Sequence, residues 1–252
     1  LIIFSINENL FDQYTLRDNK GFFDSVKNEI IWNSQLINEL KVLSPGDFVR
    51  LNFSFEINPF VKESGAVLSK PETTFDVLVS GERNNDRGVN EEIQTTTFKK
   101  IRFTSNLTLT GDSFYDNTKI SNYGPIPPAA EQATSYTAFF EIDNPSSDIS
   151  NAVMTTALPL YARWKDVIYP ETEDVRYNET TRAITWNIGD IPAGTGYVSE
   201  ARKMEFQVEI FPSTNQVGKV LPIIESSKFT GYDTYTKTNI TRYLESFSTS
   251  TG

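Results

Sequence analysis

The chain has 252 residues, with 23 Lys and Arg against 33 Asp and Glu for a formal net charge of −10, and it contains neither cysteine nor histidine. Those two absences exclude a Ser-His-Asp triad, an imidazole general base, a thiol nucleophile, a disulfide and a His- or Cys-ligated zinc, leaving carboxylate, lysine, tyrosine and hydroxyl chemistry. A pI near 4.7 argues against nucleic acid and against anionic membrane surfaces as partners. With 38 % hydrophobic and 13 % aromatic residues the chain can form cores, and at roughly 100–200 residues per domain its length suits one large domain or two ordinary ones.

Leu1-Ile2-Ile3-Phe4 reads as a strand already under way rather than a signal peptide. Only Gly21–Val26 and Gln35–Leu43 carry weak helical periodicity. Leu51, Phe53, Phe55 and Ile57 alternate with polar residues, as do Phe206, Val208 and Ile210 with Glu205, Gln207 and Glu209, which predicts half-buried strands with one solvated face. Further strands are expected at Phe75–Ser80, Lys99–Leu109, Thr134–Ile142, Ala152–Leu158, Val175–Tyr177, Ala183–Asn187 and Ile223–Phe229. Turn chemistry separates them, at Pro45-Gly46-Asp47, Asn84 to Gly88, Asp143-Asn144-Pro145 and Pro192 to Gly196. No stretch approaches the roughly 18–20 apolar residues of a membrane span, and Phe247 to Gly252 resembles the start of a small-polar linker.

An internal repeat is the most specific signal. Glu29-Ile30-Ile31-Trp32-Asn33 matches Arg182-Ala183-Ile184-Thr185-Trp186-Asn187, Trp186 lying 154 residues after Trp32. Phe53-x-Phe55-Glu56-Ile57-x-Pro59 matches Phe206-x-Val208-Glu209-Ile210-x-Pro212, Gly65-x-Val67-Leu68 matches Gly218-x-Val220-Leu221, and Ser80-Gly81 lines up with Thr230-Gly231. The first copy has only 31 residues before its tryptophan, so either it belongs to an abbreviated variant or its leading strands are expected upstream or from another chain, and a sandwich lacking strands exposes edges and an apolar face.

In the second copy, Gly124-Pro125-Ile126-Pro127-Pro128, Ser135 to Asn144, Asn151 to Pro159 and Ile184 to Gly194 resemble the conserved-repeat family called domain of unknown function 11. The resemblance covers about Asn122–Thr241, with its carboxyl half echoed in Asn28–Gly81, and implies immunoglobulin-like modules arranged in tandem in large bacterial and archaeal cell-surface proteins. It implies no common active site, because a fold does not fix a chemistry. The residues account for the same pattern directly: Tyr136, Ala138, Phe140 and Ile142 share one strand face, and Ala152, Met154, Thr156 and Leu158 another, so two sheets can meet over a core with Trp186 at its centre.

Carboxylates are the remaining catalytic candidates. Glu171, Glu173 and Asp174 sit beside Tyr169, but nothing in their spacing indicates the facing pair of a glycosidase. Calcium is a less remote use, at Asp143, Asn144 and Asp148 or along Asn84, Asn85, Asp86, Asn90, Glu91 and Glu92, although neither has EF-hand spacing. Asn-x-Ser/Thr sequons stand at Asn52, Asn106, Asn178 and Asn239. Tyr232, Tyr235 and Tyr243, with Tyr161 and Trp164, are candidates for stacking on sugars if exposed, or for covering strand edges and filling the core.

The reading is all-β, tandem immunoglobulin-like antiparallel sandwiches, with a partial unit at 1–97 and a complete one at 98–252. Its expected role is non-enzymatic: a spacer or self-assembling S-layer or filament unit of a large extracellular surface protein, self-associating through strand edges or lateral contacts. The alternative is an adhesin or carbohydrate-binding module contacting surface glycans or proteins. No cofactor other than calcium, no nucleic acid and no direct membrane insertion is expected.

Overall fold

The structure, a computed structural model, describes residues 1–7, 10, 12–18, 20–58, 66–84, 88–216 and 218–249. Pro59 and Gly65 of the repeat, Asn85, Asp86 and Arg87 of the turn, and residues 250–252 of the small-polar end lie outside the described residues. The chain divides into two compact units, residues 1–59 with 71–103, and residues 60–70 with 104–252. The sequence boundary at 97/98 falls inside a strand, and completing that strand carries the division to Phe103/Thr104.

In the first unit, β1 (Ile2–Asn7), β3 (Phe22–Asp24), β4 (Glu29–Trp32), β6 (Glu72–Asn84) and β7 (Asn90–Arg102) form one antiparallel sheet in the order β3-β4-β1-β6-β7. The short strands β2 (Arg17–Asp18) and β5 (Phe53–Ser54) form a separate ribbon. Phe4, Ile6, Ile30, Trp32 and Phe75 are buried on the sheet, and Leu51, Phe53 and Phe55 pack against them, with the Phe53 and Phe4 rings 4.4 Å apart. Neither weakly helical segment becomes an α-helix. Asp24 accepts hydrogen bonds from the backbone N–H of Val26 and Lys27, and Asn33 from those of Gln35 and Leu36, so these side chains offer the backbone a turn instead of a helix. Gly21–Val26 thereby supplies β3 and its turn, and Gln35–Leu43 keeps only a 3-10 turn at Asn38–Leu40.

The second unit is a two-layer sandwich. One layer runs β12 (Asp174–Tyr177), β13 (Ala183–Ile191), β10 (Ile149–Ala157), β16 (Ser227–Asp233) and β17 (Thr238–Leu244). The other runs β11 (Ala162–Tyr169), β14 (Arg202–Ile210), β9 (Thr134–Asp143) and β8 (Thr108–Phe114); β15 (Pro222–Ile224) and β18 (Phe247–Ser248) pair as a small ribbon. Tyr136, Ala138, Phe140, Ile142, Phe206, Val208 and Ile210 from the second layer enclose Met154, Ile184, Trp186 and Phe229 from the first. The order β11-β14-β9-β8 over β17-β16-β10 is the D-E-B-A over G-F-C arrangement of immunoglobulin-type sandwiches. The β12–β13 hairpin, inserted between the D and E strands, extends the G-F-C sheet beyond C.

Laid over this plan, the repeat becomes a structural identity of parts. The sheet β3-β4-β1-β6-β7 has the same strand order as β12-β13-β10-β16-β17, and the ribbon β2·β5 stands where β11·β14 stands. Trp32 pairs with Ile2 as Trp186 pairs with Met154. Among the described residues the first unit has no counterpart of β8 and β9, which by chain order would fall before β1. The strand expected over Leu51–Ile57 consequently shrinks to β5, because the long partner that carries β14 along nine residues has no equivalent beside it.

One expectation is overturned in the second unit. Glu205, Gln207 and Glu209 do not face solvent; all three are buried. The segment after β8 crosses their face and satisfies each group: Lys119 N–H donates to Glu205, Gln207 donates to Ser121 O and Asn122 Oδ1, and Tyr123 Oη donates to Glu209. Buried polar side chains are tolerated where every group finds such a partner.

The two central tryptophans differ in one hydrogen bond. Trp186 Nε1 donates to Glu173 Oε2 at 2.8 Å, whereas buried Trp32 Nε1 has no acceptor among the described residues. Trp186→Phe should therefore destabilise its unit by about 1–3 kcal/mol more than Trp32→Phe destabilises the first, because only the former loses a buried hydrogen bond to a carboxylate, Glu173 keeping Arg202 alone. Urea unfolding followed separately for each unit measures the difference.

Candidate functional site

The structure places the proposed calcium residues at the end of the second sandwich where β9 turns into β10, and gives them different work. Asn144 is fully buried: its Nδ2 donates to the carbonyls of Ser147, Ile191 and Pro192, and its Oδ1 accepts from Ser105 Oγ at 2.6 Å. Its side chain is thus committed to loop closure. Asp148 Oδ1 caps Ala193 N–H, and its backbone carbonyl takes Thr234 N–H. The Asp143 carboxyl lies against Gly196, a residue at φ +84° where even a Cβ would collide with it. Burial, then the nearby Glu141, push the Asp143 carboxyl above its usual range, with Lys203 opposing. Among the described residues no three acidic side chains converge as a metal cluster.

Asp233 is the residue that sequence reasoning missed in this region. Fully buried, its Oδ2 accepts from Ser147 Oγ at 2.6 Å and Ser105 N–H at 2.9 Å, while Oδ1 accepts from the N–H of Tyr235 and Thr236. Its only sequence signal is a position just ahead of a strand-to-strand turn, where an Asp commonly holds the backbone two residues on. Burial raises this carboxyl, and the hydrogen bonds from Ser147 and the three backbone N–H groups outweigh it, leaving it below its usual range. Glu209 is lowered as well, chiefly by the Tyr123 hydroxyl, then by Lys165 and Arg163, against its burial.

The other candidates also have structural partners. Glu173 joins Trp186 to Arg202, and Asp174 pairs with Arg176 and Asn187. Trp164 stacks on Tyr177 with centroids 5.7 Å apart and leans on Phe206, and Tyr161 Oη donates to Pro222 O. Tyr232 and Tyr243 lie exposed on the outer face of β16 and β17, four strand positions apart. Asn52, Asn106, Asn178 and Asn239 are all exposed, and Asn178 Oδ1 holds the β12–β13 turn through Thr180 and Thr181 N–H.

What distinguishes the first unit is surface left open. On the inner face of its sheet, Val79 and Ile93 are 39 % and 47 % exposed, whereas Phe229 and Ile240, their register equivalents under the second layer of the second unit, are 0 % and 4 % exposed. On the outer face, one cross-strand row reads Phe22, Ile31, Ile3, Leu78; the corresponding row of the second unit reads Arg176, Thr185, Thr155, Lys228. At the sheet's edge, β7 is a 13-residue strand paired on one side only among the described residues, with almost every residue exposed and Phe98 at 72 %. Long unpaired edges and contiguous apolar faces are where β-proteins meet other chains.

No protein-family model matches the chain, and no curated protein matches it. Among solved structures it is similar to the major pilin subunit BcpA of Bacillus cereus, at a TM-score of 0.36 and 8 % identity over 98 % of this chain and 64 % of that one. It is similar to the full-length major pilin SpaD of Corynebacterium diphtheriae at 0.35 and 8 %, over 97 % and 60 %. A third is the C-terminal domain of the antigen I/II-family protein AspA of Streptococcus pyogenes, at 0.32 and 10 %, over 98 % and 84 %. The chain thus spans less than two thirds of the two pilins' length. The sandwich assignment rests on the strand order and core described above.

The carboxylates set the acid limit of the second unit. A carboxyl held below its unfolded value stabilises the fold above that value and loses the contribution as pH falls through the folded one. Melting of the second unit should therefore weaken progressively below about pH 4, near the unfolded carboxylate value, and Asp233→Asn should lower the midpoint at neutral pH while flattening this acid dependence. Differential scanning calorimetry across pH reads both.

Proposed function

We propose that the chain is a non-enzymatic structural region of an extracellular surface protein, its tandem sandwich units serving as spacers or as assembly units of an S-layer or filament. The observation that carries the reading is the same sheet, in the same strand order, built twice along one polypeptide. Repetition of a folded unit extends a surface protein by length rather than by chemistry. The central tryptophans Trp32 and Trp186 are buried in the cores, and two of the carboxylates considered for catalysis, Glu173 and Asp174, are held in ion pairs and hydrogen bonds. The exposed sequon asparagines Asn52, Asn106, Asn178 and Asn239 would be accessible to glycan attachment in such a setting.

The test is display and load. On intact cells of the organism that encodes it, added protease should remove epitopes of both units without lysis; epitopes protected until the cells are broken would refute surface display. Pulled from its two ends, the chain should unfold in two separate events, the first unit yielding at the lower force because its inner face is only partly covered.

A further inference from the structure

We propose that β7 is a self-complementary edge, pairing antiparallel with β7 of a second copy about a two-fold axis through Thr96. Its sequence, Asn90-Glu-Glu-Ile-Gln-Thr-Thr-Thr-Phe-Lys-Lys-Ile-Arg102, separates charge by sign, with Glu91 and Glu92 at one end and Lys99, Lys100 and Arg102 at the other. An antiparallel two-fold pair reverses one strand on the other and so lays each acidic end against a basic end. With the axis at Thr96, all 13 residues pair: Thr96 faces its own copy, Glu92 faces Lys100, Gln94 faces Phe98 and Asn90 faces Arg102, while Glu91 lies diagonal to Lys99. The side chains of Glu92, Thr96, Phe98 and Lys100 share the outer face of the sheet, because Phe98 pairs with Asp76 and Thr96 with Leu78 on that face of β6.

Two features of the isolated unit point the same way. Glu92 stands directly opposite Glu82 of β6, a like-charge cross-strand pair that costs stability and that a second copy's Lys100 would relieve. The Lys100 ammonium reaches Glu72 at 2.6 Å while its side chain stays 47 % exposed, so it has room for a second carboxylate. Phe98, the one aromatic of this strand and 72 % exposed, gains the aliphatic stem of Gln94 as a neighbour. Edge charges usually discourage pairing with other chains; segregated by sign along one strand, they discourage parallel or shifted partners and admit this one. Pairing over one strand makes a small interface, so the dimer should be concentration-dependent and weaken with salt. The inference gives the proposed assembly role a contact, and rests on that role only for its use in the cell.

The chain has no cysteine, so single-cysteine variants of the full 252-residue protein report the contact directly. Under mild oxidation at high protein concentration, Thr96→Cys should form a disulfide-linked dimer, since directly opposed strand residues lie within disulfide reach. Thr95→Cys and Thr97→Cys should form at least about tenfold less, because each faces a threonine rather than its own copy. By sedimentation equilibrium of the cysteine-free protein, Glu92→Lys or Lys100→Glu should each weaken the dimer by about tenfold or more, and the double exchange Glu92→Lys/Lys100→Glu should restore it to within about threefold. A protein that stays monomeric at low salt with no Thr96→Cys cross-link overturns the pairing. Stronger cross-linking at position 95 or 97, or a dimer indifferent to both charge reversals, overturns the register. None of these outcomes depends on where the protein is displayed, so failure of the pairing and failure of surface display are separable.

Discussion

An apolar sheet face has to be covered by something equally apolar, and in the second unit the cover is the pair β9·β14, joined over nine residues. Tyr136, Ala138 and Phe140 from one strand and Phe206, Val208 and Ile210 from the other close over Trp186, Met154 and Phe229. Removing that area from water, at roughly 25 cal/mol per Å² of apolar surface, is what allows the hairpin β12–β13 and the edge β17 to remain half-solvated without cost to the whole. Among the described residues the first unit has the same sheet under about half of that cover. Leu51, Phe53 and Phe55 seal the Phe4, Ile30 and Trp32 end, and the Val79 and Ile93 end stays wet. Its shorter β5 and its exposed inner residues are consequences of that single difference.

Much of the plan was legible in the sequence because it is written twice. The tryptophan-centred match and the Phe53/Phe206 match locate equivalent strands. Individual strands were readable where apolar residues alternate, as in β9 and β10. The strands β11 and β17 were not, because bulging in β11 and the polar make-up of β17 break the period-two pattern. The pattern over Lys99–Leu109 predicts one strand, but the change of unit at Phe103 divides it between β7 and β8.

Burial of polar groups was the part that pattern could not show. Alternation predicts which face of a strand is polar and says nothing about whether a loop will later cross that face, as the segment carrying Lys119, Ser121 and Tyr123 crosses β14. The same holds at the β9–β10 turn. In one dimension Asp143, Asn144 and Asp148 show only a cluster of oxygen ligands, and nothing there announces that Asn144 and the distant Asp233 close the end of the sandwich through Ser105 and Ser147. Partners more than a hundred residues apart in sequence, such as Ser105 and Asp233, leave no local signature.

The central claim is that one sheet is fully roofed in the second unit and half-roofed in the first. Native-state labelling of single cysteines, introduced one at a time into the cysteine-free chain as Val79→Cys, Ile93→Cys and Ile240→Cys, measures it most directly. Thiols at 79 and 93 should react at rates close to those of the unfolded chain, and the thiol at 240 at least on the order of 100-fold more slowly, since it must wait for the sandwich to open. Equal protection at all three positions would contradict the account.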